Sequence, residues 1–118
     1  FQLIHLKKMK KLKEMSIYNT IIMVTVKIKD VLNGRNYPEG GTMLFSIIKD
    51  AMNSNQTVSI DMEDVDSFPT MFMNTSFGSL IDLFGLDTTK QALRFQNIKK
   101  AQIERIRKYF NDYKSLID

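Results

Sequence analysis

The sequence contains no cysteine and no tryptophan, and it has a single histidine, His5, among 118 residues. The absence of cysteine excludes a disulfide scaffold, a thiolate zinc site and a cysteine nucleophile. A lone histidine excludes a metal site with several histidines. No apolar run reaches the roughly 18 residues that a membrane span requires. We therefore expect no transmembrane segment and no bound cofactor.

Positive charge is concentrated at the N-terminus. The formal net charge is +4. Residues 1–15 contain five lysines and one glutamate, whereas residues 16–118 contain twelve basic and twelve acidic side chains. The folded part therefore has no net field that attracts nucleic acid. We expect residues 1–22 to be a basic leader, which is either added sequence or start-site sequence and is partly strand. Residues 23–118 are expected to form one domain.

Hydrophobic periodicity predicts that strands and helices alternate from Met23 onward. Alternating apolar residues predict strands over 24–28, 57–62 and 92–98, and helical spacing predicts helices over 42–52, 69–84 and 99–117, with turns over 33–41. This order predicts a single-domain α/β fold with a central, mainly parallel or mixed sheet and amphipathic helices mostly on one face. Residues 17–23 or a second copy of the chain would cover the rest of the sheet, so a homodimer stays open.

Four acidic residues straddle the end of the second predicted strand, at Asp61, Glu63, Asp64 and Asp66. Ligands often bind outside the carboxyl ends of strands, so a metal-dependent enzyme that holds a hard cation here is one alternative. The loop acids are equally suited to turns and helix caps. Since His5 lies in the leader, no serine hydrolase triad is predicted either. We favour a domain without metal or catalytic activity.

The last predicted helix is basic. A nucleic-acid-binding module would use its cations for phosphates and its tyrosines for bases. Glu104 and Asp112 interrupt the patch, so we favour a solvated outer face and keep nucleic-acid binding as the other alternative. The residues concerned are Lys99, Lys100, Arg105, Arg107, Lys108, Lys114, Tyr109 and Tyr113.

Three segments carry a resemblance to a known family. They are the turn GRNYPEGG at 34–41, the strand VSIDMEDV at 58–65, and the helix that contains Phe72 and FGSL at 77–80. In this order and spacing they resemble the STAS-like family, small bacterial proteins related to the sulfate transporter and anti-sigma-factor antagonist domain. The resemblance runs from about Met23 to the C-terminus and implies a STAS-like fold.

The resemblance also implies a function. It implies a cytoplasmic, non-catalytic regulatory module that binds another protein, either an ATP-binding switch kinase or an anti-sigma-type protein. In the parent antagonist domain, the helix after the middle strand begins with a phosphorylated serine, and Thr70 is expected at that position. A phosphate there would add about −1.5 to −2 charges at the positive end of a helix. The implied partner-binding residues are Asp64, Asp66, Ser67, Thr70, Met71 and Asn74.

Overall fold

A parallel three-stranded sheet forms the centre of the fold. The structure, a computed structural model, describes residues 23–117, so the predicted leader lies outside the described residues. The strands are β1 (Met23–Lys27), β2 (Thr57–Asp61) and β3 (Leu93–Gln96), in the order β1-β2-β3. Val58 of the central strand pairs with Val24 and Leu93. The predicted α/β fold is confirmed.

The helices lie in the connections between the strands and after β3. Two helices, α1 (Ile28–Val31) and α2 (Tyr37–Asn53), connect β1 to β2. A longer helical segment, 70–92, connects β2 to β3 and consists of α3 (Thr70–Met73), a π-helical turn (Asn74–Gly78), α4 (Ser79–Phe84) and α5 (Leu86–Ala92). The last helix, α6 (Lys100–Ile117), follows β3.

Aromatic rings fill the core between the sheet and the helices. Phe77 is fully buried, and its ring centroid lies 5.6 Å from that of Phe68 and 5.8 Å from that of Phe110. Phe72 meets Phe68 edge to face at 5.1 Å. Such offset and edge-to-face pairs add to the stability that burial of the rings provides. The spacing that predicts a buried stripe on the helix after β2 is confirmed.

The first long helix begins earlier than the sequence predicts. The proline and glycines of residues 37–41 predict a loop turn, but these residues form the first helical turn of α2. The side chain of Asn36 caps this turn by accepting a hydrogen bond from the backbone N–H of Glu39 at 2.8 Å. Pro38 lies in the first turn, where backbone N–H groups have no partner within the helix, so its missing N–H costs no hydrogen bond.

Gly41 brings α2 into close contact with the segment that begins α3. A Cβ atom at Gly41 would overlap Thr75 Oγ1 and would lie 2.8 Å from the carbonyl oxygen of Phe72. Gly41 is buried. The glycine is therefore required by the approach of two helices, and the turn predicted at this position is wrong.

Two further helical features differ from the prediction. The segment after β2 widens into a π-helical turn at Asn74–Gly78, where the hydroxyl of Ser76 donates to the carbonyl oxygen of Phe72 at 2.7 Å. Hydroxyls that take up helix carbonyls in this way compete with the regular ladder. Helix α5 carries no apolar stripe, and its one buried residue is Thr89, so periodicity does not reveal it.

Replacing Gly41 with alanine is expected to destabilise the domain. Overpacking typically costs about 1–3 kcal/mol, which exceeds the roughly 0.5–1 kcal/mol that alanine gains over glycine inside a helix. Gly40→Ala is the matched control, because its Cβ meets only the movable end of Leu32 under 3.0 Å. Urea unfolding of both variants measures the difference. Equal stability of the two variants would contradict the proposed close contact.

Candidate functional site

The candidate site lies where the carboxyl ends of the three parallel strands meet the starts of α2, α3 and α6. In a parallel sheet with helical connections, each following helix begins near this edge, and ligands bind there in open α/β folds. The loop 62–69 leaves β2 at this edge and leads directly into α3. This loop and the first residues of α3 carry most of the side chains that the sequence assigns to partner binding.

Helix α6 holds the loop 62–69 in place through two side-chain hydrogen bonds, one from Gln102 and one from Arg105. Gln102 donates to the carbonyl oxygen of Val65 at 2.6 Å and accepts from the backbone N–H of Lys99 at 2.9 Å. Arg105 Nε donates to the carbonyl oxygen of Phe68 at 2.7 Å. The two bonds to the loop join residues 37 positions apart in the chain and fix the backbone of the loop. The surface at the start of α3 therefore has a defined geometry.

Thr70 is the first residue of α3, and its side chain is exposed. Its Oγ1 accepts a hydrogen bond from Arg105 Nη2 at 3.0 Å. The hydroxyl therefore lies in solvent beside a guanidinium that is already anchored to Phe68. An arginine in this position can bind a phosphate through two parallel hydrogen bonds.

Met71 is the most exposed large apolar side chain among the described residues, at 57%. Its neighbour Phe72 is only 1% exposed, because that ring enters the core. Tyr37 of α2 meets the Phe72 ring edge to face at 6.3 Å and is 40% exposed. Exposed apolar surface thus adjoins Thr70 at the start of α3 and at the start of α2.

Charged and polar side chains surround this apolar surface. Asp64 forms an ion pair with Lys29 at 3.4 Å, and Asp66 forms one with Lys99. Lys99 lowers the pKa of Asp66 through its hydrogen bond and its charge. Ser67 is exposed in the same loop. Exposed pairs add little stability, so these groups mainly provide a polar rim.

Asn74 has a structural contact in addition to its exposed position. Its Oδ1 accepts a hydrogen bond from the hydroxyl of Tyr109 at 2.8 Å. Burial raises the pKa of Tyr109 most, and a hydrogen bond with Tyr113 raises it further. Asn74 and Thr70 are thus the two predicted partner-binding residues that join the helical segment after β2 to α6.

The acidic residues at the end of β2 and after it contact different partners. Asp61 is buried, and its Oδ1 accepts hydrogen bonds from the backbone N–H of Glu63 and from Asn97 Nδ2, both at 2.9 Å. Asp64 and Asp66 are each paired with a lysine. Among residues 23–117, no group of three or more acidic or histidine side chains is placed to hold a metal ion.

The basic helix does not present one uniform patch. Lys99 and Arg105 contact the loop 62–69, and Lys108 pairs with Asp112 at 2.9 Å. Tyr109 is 9% exposed and belongs to the core, so its ring is not available for stacking on bases. The expected solvated face is thus only part of this helix, because Arg105, together with Lys99 just before the helix, contacts the loop 62–69.

Residues 40–102 match a protein family described as a STAS-like domain of unknown function (DUF4325). The chain belongs to the STAS-like family. The match spans α2 through the first residues of α6 and so includes the loop 62–69, Thr70 and Met71. No curated protein and no solved structure matches the chain. Within the described part of this STAS-like domain, no helix has the length and apolarity needed to cross a bilayer.

Four residues that organise the STAS-like site are not singled out by the sequence for this purpose. Gln102 and Arg105 are three residues apart and therefore share one face of α6, which is the face that meets the loop. Asn97 follows β3 with a left-handed φ of 53°, a conformation that asparagine tolerates better than most residues. The sequence suggests Tyr109 as a residue that stacks on bases, but its ring packs into the core.

Asn97→Gly tests the hydrogen bond to Asp61. Glycine keeps the left-handed backbone and removes the amide. Since hydrogen bonding lowers the pKa of Asp61 in the folded state, the stabilisation is present at neutral pH and is lost as the pH falls below the ordinary value of 3.8. We expect urea unfolding to show a destabilisation at about pH 7 that shrinks at about pH 3.

Asn55→Gly is the control for this experiment. Asn55 has nearly the same backbone conformation, with a φ of 57°, and among the described residues its side chain forms no hydrogen bond with a carboxylate. Its effect on stability is expected to be similar at both pH values. If the two variants showed the same pH dependence, the assignment of the stabilisation to Asp61 would be wrong.

Proposed function

We propose that this STAS-like domain is a non-catalytic regulatory module that binds another protein through the surface around Met71. The exposure of Met71 beside the hydroxyl of Thr70 is the observation that carries the proposal. Protein interfaces combine an apolar centre with a polar rim, and an unbranched methionine adapts to the shape of a partner. Met71, Tyr37 and the paired charges of the loop 62–69 supply these two parts.

The fixed shape of the loop favours binding. A surface that is ordered before association loses less conformational entropy when a partner binds. Gln102 and Arg105 order the backbone of the loop by bonding to two of its carbonyl oxygens. The backbone of this surface therefore has the same geometry before and after the partner binds.

A phosphate on Thr70 would switch this surface. Arg105 already donates to the Thr70 hydroxyl, and a phosphate would offer it three strong acceptors and about −1.5 to −2 charges. The added charge would lie next to Met71, at the apolar centre of the interface. We propose an ATP-binding switch kinase as the enzyme that adds it. The domain would then act in the cytoplasm, where ATP is available to such a kinase.

Met71→Glu is expected to abolish partner binding. A charge at the apolar centre of an interface must lose its water on association, so we expect retention of partners to fall by roughly tenfold or more. Leu83→Glu is the matched control, because Leu83 is 54% exposed but lies on α4, after the π-helical turn. Quantitative mass spectrometry of proteins captured by wild type and both variants measures the change. Loss with both variants, or with neither, would contradict the assigned surface.

Phosphorylation of Thr70 is tested separately. We expect intact-mass and peptide mass spectrometry to find one phosphate on the wild-type chain isolated from its source cells, none on Thr70→Val, and an unchanged level on Thr88→Val. Thr88 is an exposed threonine on α5. Thr70→Glu is expected to weaken capture of the same partners that Met71→Glu loses. Phosphate at another residue, or at none, would refute the switch and leave constitutive docking.

A further inference from the structure

A second surface of the domain is an apolar groove beside the edge strand β3. It has a volume of about 350 Å³, within the range of small-molecule sites, which begins at about 300 Å³. The groove lies between β3, the end of α5 and one face of α6. Its floor consists of apolar side chains from β3, the residues after it and α6: Leu93, Phe95, Ile98, Ile103, Ile106 and Phe110.

The floor of the groove is part of the core. Leu93, Ile106 and Phe110 are 5–7% exposed, and Phe77 supports the floor by contacting the rings of Phe95 at 6.1 Å and Phe110 at 5.8 Å. A groove supported by packed rings keeps its shape without a ligand. An apolar chain laid on this floor would bury hydrophobic surface at little cost in ordering the protein.

Two cations complete the lining of the groove. Within residues 23–117, Lys90 of α5 and Arg107 of α6 are its only charged lining residues, and both are exposed. Among the side chains that the structure describes, neither has an ion-pair partner. By contrast, Lys108 of α6 pairs with Asp112, and Arg105 donates hydrogen bonds to Phe68 and Thr70. The groove therefore combines an apolar floor with uncompensated positive charge.

The charges argue against two occupants that this chain itself provides. The first 15 residues carry five lysines, so the rim repels them. In a two-fold dimer the same patch meets itself, which would bring Lys90 and Arg107 of both copies together. Strand addition is also opposed, because the Arg94 guanidinium occupies the carbonyl oxygens of Leu93 at 2.7 Å and Gln91 at 2.9 Å at this edge.

We propose that the groove binds an amphipathic carboxylate of the fatty-acid type. The aliphatic chain lies on the isoleucine and phenylalanine floor, and the carboxylate lies beside Lys90 and Arg107. The apolar part supplies most of the affinity, since burying each CH₂ group contributes about 0.8 kcal/mol. The cations select the anionic head group. This site uses none of the residues of the proposed docking surface and does not depend on that function.

Titration of the full chain with laurate below its micelle concentration tests the proposal. Calorimetry is expected to show saturable binding of one laurate per chain, whereas dodecyltrimethylammonium, which has a chain of the same length and the opposite charge, binds at least threefold more weakly. In isoleucine-methyl NMR spectra, the shifts are expected to concentrate on Ile98, Ile103 and Ile106. Absence of saturable binding, or equal affinity for both amphiphiles, overturns the proposal.

Two sets of variants assign the binding to the groove. The double variant Lys90→Gln/Arg107→Gln is expected to weaken laurate binding by about three- to tenfold, the effect of two exposed ion pairs. Lys100→Gln/Lys114→Gln removes the same charge from α6 outside the groove and is expected to leave the affinity unchanged. Ile103→Glu is expected to weaken binding by more than about tenfold, since it places a like charge and a polar group on the floor.

Three outcomes would contradict the fatty-acid site. Equal losses in the two charge-removal variants would show unspecific attraction of the anion. Methyl shifts centred on isoleucines away from β3 and α6 would place the ligand elsewhere. Analytical ultracentrifugation that found a dimer, dissociated by Ile103→Glu, would assign the groove to a second copy of the chain. Each of these results overturns the fatty-acid site.

Discussion

The contact between α2 and the start of the helical segment after β2 determines where the candidate site lies. Because Gly41 has no side chain, the backbone of α2 approaches the carbonyl oxygen of Phe72 directly. This approach directs the Phe72 ring into the core. Met71 lies about 100° around the helix from Phe72, on the side away from the buried Met73, and is 57% exposed. A buried aromatic ring and an exposed methionine therefore lie side by side at the start of α3.

Helix α6 supports both surfaces of the domain. One part of the helix, with Gln102 and Arg105, bonds to the loop 62–69 and shapes the entrance to α3. Another face, with Ile103 and Arg107, lines the groove beside β3. The cations of one helix therefore have different roles, which a count of its charges does not distinguish.

The polar groups at the candidate site are held by neutral or paired contacts. Asp61 is satisfied by Asn97 and by the backbone of its own turn, and the loop acids pair with lysines. Thr70 contacts a cation, which is Arg105. In the proposed switch, a phosphate on Thr70 would meet this arginine, which is already in place. The surface also suits the proposed role in binding, which requires no general base near the hydroxyl.

Several features of this STAS-like domain could be predicted from the order of its residues. Alternation at Val24 and Val26, and again at Val58 and Ile60, identified the first two strands, because these side chains share one face of the sheet. The other face of β2 is buried as well, at Ser59 and Asp61. The stripe through Phe77 identified the helix after β2 for the same reason. Helix α5 was missed, since a short helix that buries little apolar surface leaves no periodic signal. The glycines of α2 were misassigned, because the same residue serves turns and close helix contacts.

The arrangement of the site required the folded chain. Local periodicity records which positions are buried, and it therefore established the fold class, the strands and the helix that carries Thr70. It contains no information about which distant residue meets which. Arg105 reaches Thr70 across 35 positions, and Asn97 reaches Asp61 across 36. Such pairings arise only when the packing of the sheet and helices brings the ends of separate elements to one edge.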